Sequence, residues 1–337
     1  MKCIVRMPNW VGDLVMATPV LQDLRAKYPD AEITAMAREP IAQLLRYDPA
    51  IDELFEYSKP ESGFLRRQLR RDIIGKLRAG KYDVGVLLTN SFSSAWWFWQ
   101  AGIKRRIGFG GNWRSFLLTD AVDRPSGLHQ VEEYKALLGN PTTASAPRLV
   151  VTEAEKQVAR ELLRQRGWRP GVKLVGVNPG ATYGSAKCWP LERFRAMALQ
   201  LLEDRDGMLV FFGDATQVEL VREICRGLPE RVLNLAGLTS LRELMALIGA
   251  CSALVTNDSG PMHIAAALDV PMVALFGSTD PDKTGPWGKE EAVVNKKASC
   301  APCFRRVCPI DFRCMKEISV EEVVAKIRAT LAPQSTR

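Results

Sequence analysis

Ala253-Leu254-Val255-Thr256-Asn257-Asp258-Ser259-Gly260-Pro261-Met262-His263-Ile264-Ala265-Ala266-Ala267-Leu268 leads directly into Asp269-Val270-Pro271-Met272-Val273-Ala274-Leu275-Phe276. The first four residues form a short apolar, β-branched run. Turn formers follow, and then small apolar residues at helical spacing from Gly260 to Leu268. Pro261 suits the opening of a helix, where a missing N–H costs nothing. A second apolar run, Met272–Phe276, closes the unit. This is strand, helix, strand, and such units build parallel sheets with helices on their faces.

The same rhythm extends in both directions. Upstream, Lys173–Val177, Leu209–Phe212 and Val232–Leu235 read as strands. The helices between them read as Leu191–Leu202, Gln217–Leu228 and Ser240–Ile248. The first half repeats it. Lys2–Met7, Glu32–Ala37, Ile51–Glu56 and Asp83–Leu88 read as strands. Asp13–Tyr28, Pro40–Arg46, Gly63–Leu77 and Ser91–Gln100 read as helices. Thr152–Gly167 is a polar-faced helix, and Trp168-Arg169-Pro170-Gly171 then interrupts the pattern. The chain has 337 residues, long for one core, so two α/β domains are expected. They span residues 1–168 and 172–317, and a last helix runs through Val320–Leu331.

With 47% apolar and 25% charged residues the composition is that of a globular protein. No apolar run reaches the roughly 20 residues of a membrane span. The opening residues lack the pattern of a signal peptide, so a cytoplasmic location is expected. The net charge of +8 is uneven: residues 1–170 hold 26 Lys+Arg against 19 Asp+Glu, and the rest hold 20 against 19. The stretch Lys59–Lys81 holds eight basic residues against two acids. Arg66, Arg67, Arg70 and Arg71 lie there on one side of a helix. A basic half suggests an anionic partner. A nucleic-acid-binding protein is the non-enzyme alternative, but no nucleic-acid motif accompanies the charge.

Three loops at strand carboxyl ends are the candidates for chemistry, since ligands of doubly wound sheets bind there. The first is Met7-Pro8-Asn9-Trp10-Val11-Gly12-Asp13. It lacks the glycine spacing of a dinucleotide site, which disfavours an NAD dehydrogenase. Asp13 reads either as the N-cap of the next helix or as a general base, and spacing alone favours the cap. The second is Asn178-Pro179-Gly180-Ala181-Thr182-Tyr183-Gly184-Ser185-Ala186-Lys187, with Trp189-Pro190 beyond it. It is a Gly- and hydroxyl-rich loop ending in a cation, either a phosphate cradle or a solvated surface loop. The third is Asp258-Ser259-Gly260 with His263, where free N–H groups of a helix start favour an anion. His263 is one of two histidines, and a lone helical His is more often packed or capping than a ligand.

Cys300, Cys303, Cys308 and Cys314 cluster near the end of the chain. Four thiolates can hold zinc or an iron–sulfur cluster, though the spacing is not that of a zinc ribbon. The other four cysteines are scattered and read as small apolar residues.

Taken in order, Pro8–Asp13, Asn178–Ala181 with Lys187 and Trp189-Pro190, and Asn257–His263 resemble the ADP-heptose:lipopolysaccharide heptosyltransferases, glycosyltransferase family 9. The Trp10-Val11-Gly12-Asp13 form, Asn90-Ser91-Phe92 and Arg105-Arg106-Ile107-Gly108-Phe109 look like the branch that adds the second heptose. The resemblance implies a GT-B fold, two facing Rossmann-like domains, with the acceptor held by the first and the nucleotide sugar by the second. It implies that the helix over 318–335 packs back on the first domain. It implies inverting transfer of heptose from ADP-heptose to the first heptose of a Kdo-bearing lipid A acceptor, at the inner face of the inner membrane. Asp13 would be the base. Lys187 with Thr182 and Tyr183, and Asp258, Ser259, Gly260 and His263, would hold the donor. Asn9, Trp10, Gly12 and the four arginines would meet the acceptor. No cofactor is required, and a structural metal at the cysteines is a separate question. The enzyme alternatives are a different nucleotide sugar, such as a UDP-hexose, or an acceptor that carries no heptose yet.

Overall fold

A computed structural model describes residues 1–58, 63–139, 143–204 and 207–332. The chain divides into two compact units, Met1–Val150 and Val151–Arg337. In the first, the strands are β1 (Lys2–Arg6), β2 (Glu32–Arg38), β3 (Glu53–Tyr57), β4 (Val84–Leu87), β5 (Arg105–Phe109) and β6 (Asp120–Val122). Its helices are α1 (Val11–Lys27), α2 (Gly63–Gly80), α3 (Phe92–Gln100) and α4 (Gln130–Ala136). The second opens with α5 (Glu153–Gln165), then alternates β7 (Lys173–Asn178), α6 (Leu191–Leu202), β8 (Gly207–Phe211), α7 (Val218–Cys225) and β9 (Val232–Asn234). There follow α8 (Leu241–Ala250), β10 (Ala253–Asn257), α9 (Gly260–Ala267) and β11 (Met272–Phe276). It ends with α10 (Pro281–Thr284), β12 (Val293–Asn295), α11 (Arg313–Lys316) and α12 (Val320–Leu331).

Both units carry a six-stranded sheet of parallel strands. The orders are β3-β2-β1-β4-β5-β6 and β12-β11-β10-β7-β8-β9. Counted from its own first strand, each sheet has the same doubly wound order. The switch points lie between β1 and β4 and between β7 and β10, where loops diverge to opposite faces and leave room for a ligand. β4, β10 and β11 are buried along their whole length. That explains their continuous apolar runs, because helices cover both faces of a parallel sheet.

Local chemistry explains two departures from simple pattern. Pro19 sits inside α1 and cannot donate to the carbonyl of Val15. The Thr18 hydroxyl donates to that carbonyl at 2.8 Å instead, so the helix continues. β6, β9 and β12 have three residues each. β6 and β12 are edge strands that expose part of their side chains, and such pieces carry too little apolar pattern to be read from sequence.

The Trp168–Gly171 break is a turn within the second unit, because α5 packs on α8. Arg242 of α8 donates to Glu155 of α5 at 2.7 Å, and Ala159 and Leu163 are buried. The last helix likewise packs inside the second unit, with α12 against α6 and the β10–β11 part of the sheet. Its Val323, Val324 and Ile327 join the core made by Phe194, Met197 and Leu201 of α6. The expected return of 318–335 to the first domain is therefore not the contact seen among the described residues, and 333–335 lie outside them. Within 59–81, residues 59–62 and the side chains of 63–66, Arg66 included, also lie outside the described residues.

Candidate functional site

The loops after β7 and β10 meet at the switch point of the second sheet. Two strand-end asparagines lock them together. Asn178 donates through Nδ2 to the Gly180 carbonyl at 3.0 Å and to Ser259 Oγ at 3.1 Å. Asn257 donates to the Pro179 carbonyl at 2.7 Å and accepts from the Trp189 N–H at 3.1 Å. Trp189 is itself fully buried and donates from Nε1 to the Ile318 carbonyl at 3.0 Å. The loop from Pro179 to Lys187 is thus fixed at both ends. Close approach requires a glycine at 184, where a Cβ would overlap the Arg306 backbone carbonyl; at Gly180 a Cβ would meet only the movable end of the Gln217 side chain.

This scaffold brings Lys187 to Asp258. The ammonium donates to Asp258 Oδ2 at 2.5 Å, and the Thr279 hydroxyl donates to the same oxygen at 2.6 Å. Asp258 and Thr279 are buried, and the Lys187 side chain is 14% exposed. The Tyr183 ring lies 4.8 Å from the ammonium and 5.3 Å from the Arg306 guanidinium. Tyr183 donates from its hydroxyl to the Phe304 carbonyl at 2.7 Å. A lysine held this way has a fixed ammonium with N–H donors left over, beside the start of α9. Such a node favours an oxyanion, because cation and helix dipole act on the same charge.

Lys187, Tyr183, Asp258, Ser259 and the start of α9 at Gly260 therefore lie together. Thr182 is exposed on the same loop, and His263 is buried as the fourth residue of α9. Thr279 and Arg306 join the site, Thr279 from the stretch Phe276–Pro281 that sequence reading expects to wall this pocket, and Arg306 with no role expected for it. Thr279 follows the next strand end, which at least places it there. Arg306 carries no such signal: it contributes a backbone carbonyl, which accepts from the Ala186 N–H at 3.0 Å, and a stacked side chain.

In the first unit the loop after β1 runs into α1. The N-cap of α1 is Trp10, without a side-chain cap bond, and Asp13 lies in the first turn. The capping role that spacing favoured for Asp13 is therefore corrected. Asp13 is half-buried, and its charge acts on the Tyr134 hydroxyl of α4. That hydroxyl is pushed well above its ordinary value, first by burial and then by Asp13 and Glu133. Asn9 and Trp10 are exposed, and Gly12 is half-buried. Asn9 accepts from Arg6 at 2.7 Å. On α2, Arg67, Arg70 and Arg71 are exposed. The second histidine, His129, caps α4 by accepting from the Val131 N–H at 3.2 Å, and so has a structural role.

Cys300 and Cys303 are exposed, Cys308 is half-buried and Cys314 is buried. The Cys314 thiol is pushed up by burial first, and then by Cys300, Cys308 and Cys303. Cys314 thus lies within electrostatic reach of the other three thiols, yet no three His, Cys, Asp or Glu side chains among the described residues converge as metal ligands.

A model of glycosyltransferase family 9 (heptosyltransferase) matches residues 70–312. Lipopolysaccharide heptosyltransferase 2 of Salmonella typhimurium is 37% identical over 87% of this chain and 88% of its own. Lipooligosaccharide heptosyltransferase 2 of Campylobacter jejuni is 30% identical over 98% of each. Among solved structures, ADP-heptose LPS heptosyltransferase II of E. coli superposes with a TM-score of 0.83 at 33% identity, covering 98% of both chains. The fold is accordingly GT-B, with two Rossmann-like domains in one chain.

Proposed function

This chain belongs to glycosyltransferase family 9, and from that premise we propose that it transfers heptose from ADP-heptose to the first heptose of the lipopolysaccharide inner core. The observation that carries the donor half is the Lys187–Asp258–Thr279 node at the β7–β10 switch point. The acceptor half rests on likeness to relatives whose names specify heptosyltransferase 2.

The proposed step is a single displacement. A hydroxyl of the acceptor heptose attacks the anomeric carbon, the bond from that carbon to the diphosphate oxygen breaks, and ADP leaves with the electron pair. Asp13 accepts the hydroxyl proton. Lys187 and the N–H groups at Gly260 stabilise the charge that grows on the leaving phosphate, the part a metal plays elsewhere. Asp258 orients Lys187 and limits its mobility. Thr182, Ser259 and His263 complete the donor side, and Asn9, Trp10, Gly12 and the α2 arginines Arg66, Arg67, Arg70 and Arg71 the acceptor side.

Contact with an anionic membrane surface belongs to the same proposal. Among the described residues no helix is long and apolar enough to cross a membrane. The first unit nevertheless displays exposed aromatics: Phe92, Trp99, Trp113 and Phe116. Phe92 stacks on Trp96 at 6.0 Å and lies 6.2 Å from Phe116, and Trp96 lies 5.0 Å from Trp99. Aromatics of this kind settle at the headgroup level, and basic residues nearby add attraction to anionic lipid. Phe98 of the same helix is buried, so α3 divides its aromatics between core and surface.

Calorimetric titration with ADP and UDP tests the donor assignment. ADP should bind, and UDP should bind at least about tenfold more weakly, the discrimination one lost polar contact gives. Preference for UDP would turn the assignment to another nucleotide sugar.

A further inference from the structure

At the carboxyl ends of β1, β2 and β3 the first unit holds a buried arginine, Arg6, and a half-buried one, Arg38, with no carboxylate among the described residues paired to either. Arg6, the last residue of β1, is 3% exposed. Its guanidinium donates to the Met7 carbonyl, to the Tyr57 hydroxyl and, at 2.7 Å, to Asn9 Oδ1. It also packs against the Tyr57 ring, 5.0 Å from the centroid. All of these partners are neutral. Arg38 is the last residue of β2. Arg6 pairs with Met36, and Arg38 pairs with Tyr57. Residues in register, and residues two apart on one strand, project from the same face. Arg6, Arg38 and Tyr57 therefore leave one face of the sheet together. Among the described residues, the Nε atoms of both arginines are buried and have no hydrogen-bond partner.

Burial lowers the Arg6 pKa most, Tyr57 raises it, and Arg38 lowers it again. Among the described residues no carboxylate contributes to it. A buried guanidinium repelled by a half-buried one beside it is costly unless an anion joins them. Arginine offers its donors as a planar fork that matches a carboxylate or phosphate.

We propose that Arg6 and Arg38 form an oxyanion site that takes a carboxylate or phosphate monoester carried by the acceptor. The acceptor assignment rests on the function proposed above; the oxyanion site itself does not. The site belongs to the segment that supplies Asn9 and Asp13, because Arg6 both faces the anion and holds Asn9. An anion bound there fixes a charged group of the acceptor against the loop that precedes the proposed base. The exposed Arg67, Arg70 and Arg71 lie on the helix that comes after β3 and draw the same charge by longer-range attraction.

The test is calorimetric titration of inorganic phosphate into protein saturated with ADP, so that the Lys187 node is already filled. The parent should bind phosphate, and Arg38→Gln should bind it about tenfold or more weakly, as expected for loss of a charged hydrogen-bond donor. ADP affinity should stay at the parent value in both. Arg6→Gln serves as a second variant, read only if its melting temperature stays near the parent's. Absence of phosphate binding in the ADP-saturated parent, or parent-like binding in Arg38→Gln, would overturn the site. Acceptor kinetics then identify the anion. A KM defect in Arg38→Gln that vanishes with a dephosphorylated acceptor assigns a phosphate, and one that persists assigns a carboxylate. An unchanged KM with both acceptors removes the acceptor from the proposal. Phosphate binding that behaves as expected in a protein that transfers no heptose would leave the site standing and overturn the function.

Discussion

Lys187 and Asp258 form a largely buried ion pair, so removing either member does two things at once. Lys187→Ala should destabilise the protein by about 3–5 kcal/mol, because Asp258 is left as an unpaired buried charge. It should also weaken ADP binding by about 10- to 100-fold, through loss of a cation on the diphosphate. The double variant Lys187→Met, Asp258→Leu separates the effects: thermal stability should largely return while ADP affinity stays low. Recovery of both would make the pair a structural feature only. Asp13→Asn keeps the shape of a side chain that lies in the first turn of α1 and not at its N-cap. The fold and ADP affinity should therefore persist while turnover falls by about 10²- to 10⁴-fold, the usual contribution of a general base. Turnover within a few-fold of the parent would remove Asp13 from proton transfer. At this scale the sequence was partly legible. Lys187, Asp258 and Gly260 stand at strand ends, where position alone raises suspicion. Arg306 was hidden because its backbone carbonyl does half the work, and Arg6 because a single arginine ending an apolar strand has no pattern to betray it.

At the scale of elements, α5 shows how two readings of one break compete. Trp168–Gly171 looks like a boundary, yet α5 is fastened to α8 by Arg242 and Glu155 and so belongs to the second unit. Burial alone raises the Glu155 pKa. Its hydrogen bonds to Arg242 and Thr152 and the Arg242 charge outweigh that, and bring it down to about 2. A carboxylate depressed from 4.5 stabilises the folded state above that value, and the contribution is lost as pH falls toward 2. The melting temperature of the parent should therefore drop more steeply between pH 4.5 and 2 than that of Glu155→Gln. Parallel curves would mean that the pair contributes nothing to docking α5. Helices such as α1 and α6, and strands such as β10, were legible because their apolar spacing extends over several turns or a whole buried strand. β6 and β12 were not, since three-residue edge strands are defined by backbone pairing rather than by side chains.

For the whole molecule, two sheets of identical order place one loop pair per unit at a switch point, and both pairs carry residues suited to chemistry. The basic excess lies in the first half, the half proposed to hold an anionic acceptor, while the nearly neutral second half carries the Lys187–Asp258–Thr279 node proposed to hold the donor. The fold class could be read from the βα rhythm alone, whereas the choice of substrate could not, because it depends on loop residues whose motifs gain meaning only from their order along the chain. Transfer of heptose to heptose is tested by an assay with ADP-heptose and two lipid acceptors, one bearing Kdo alone and one bearing Kdo and a first heptose. One heptose should be added to the second acceptor and none to the first; transfer to the acceptor bearing Kdo alone, or to neither, would mean that this enzyme does not add the second heptose.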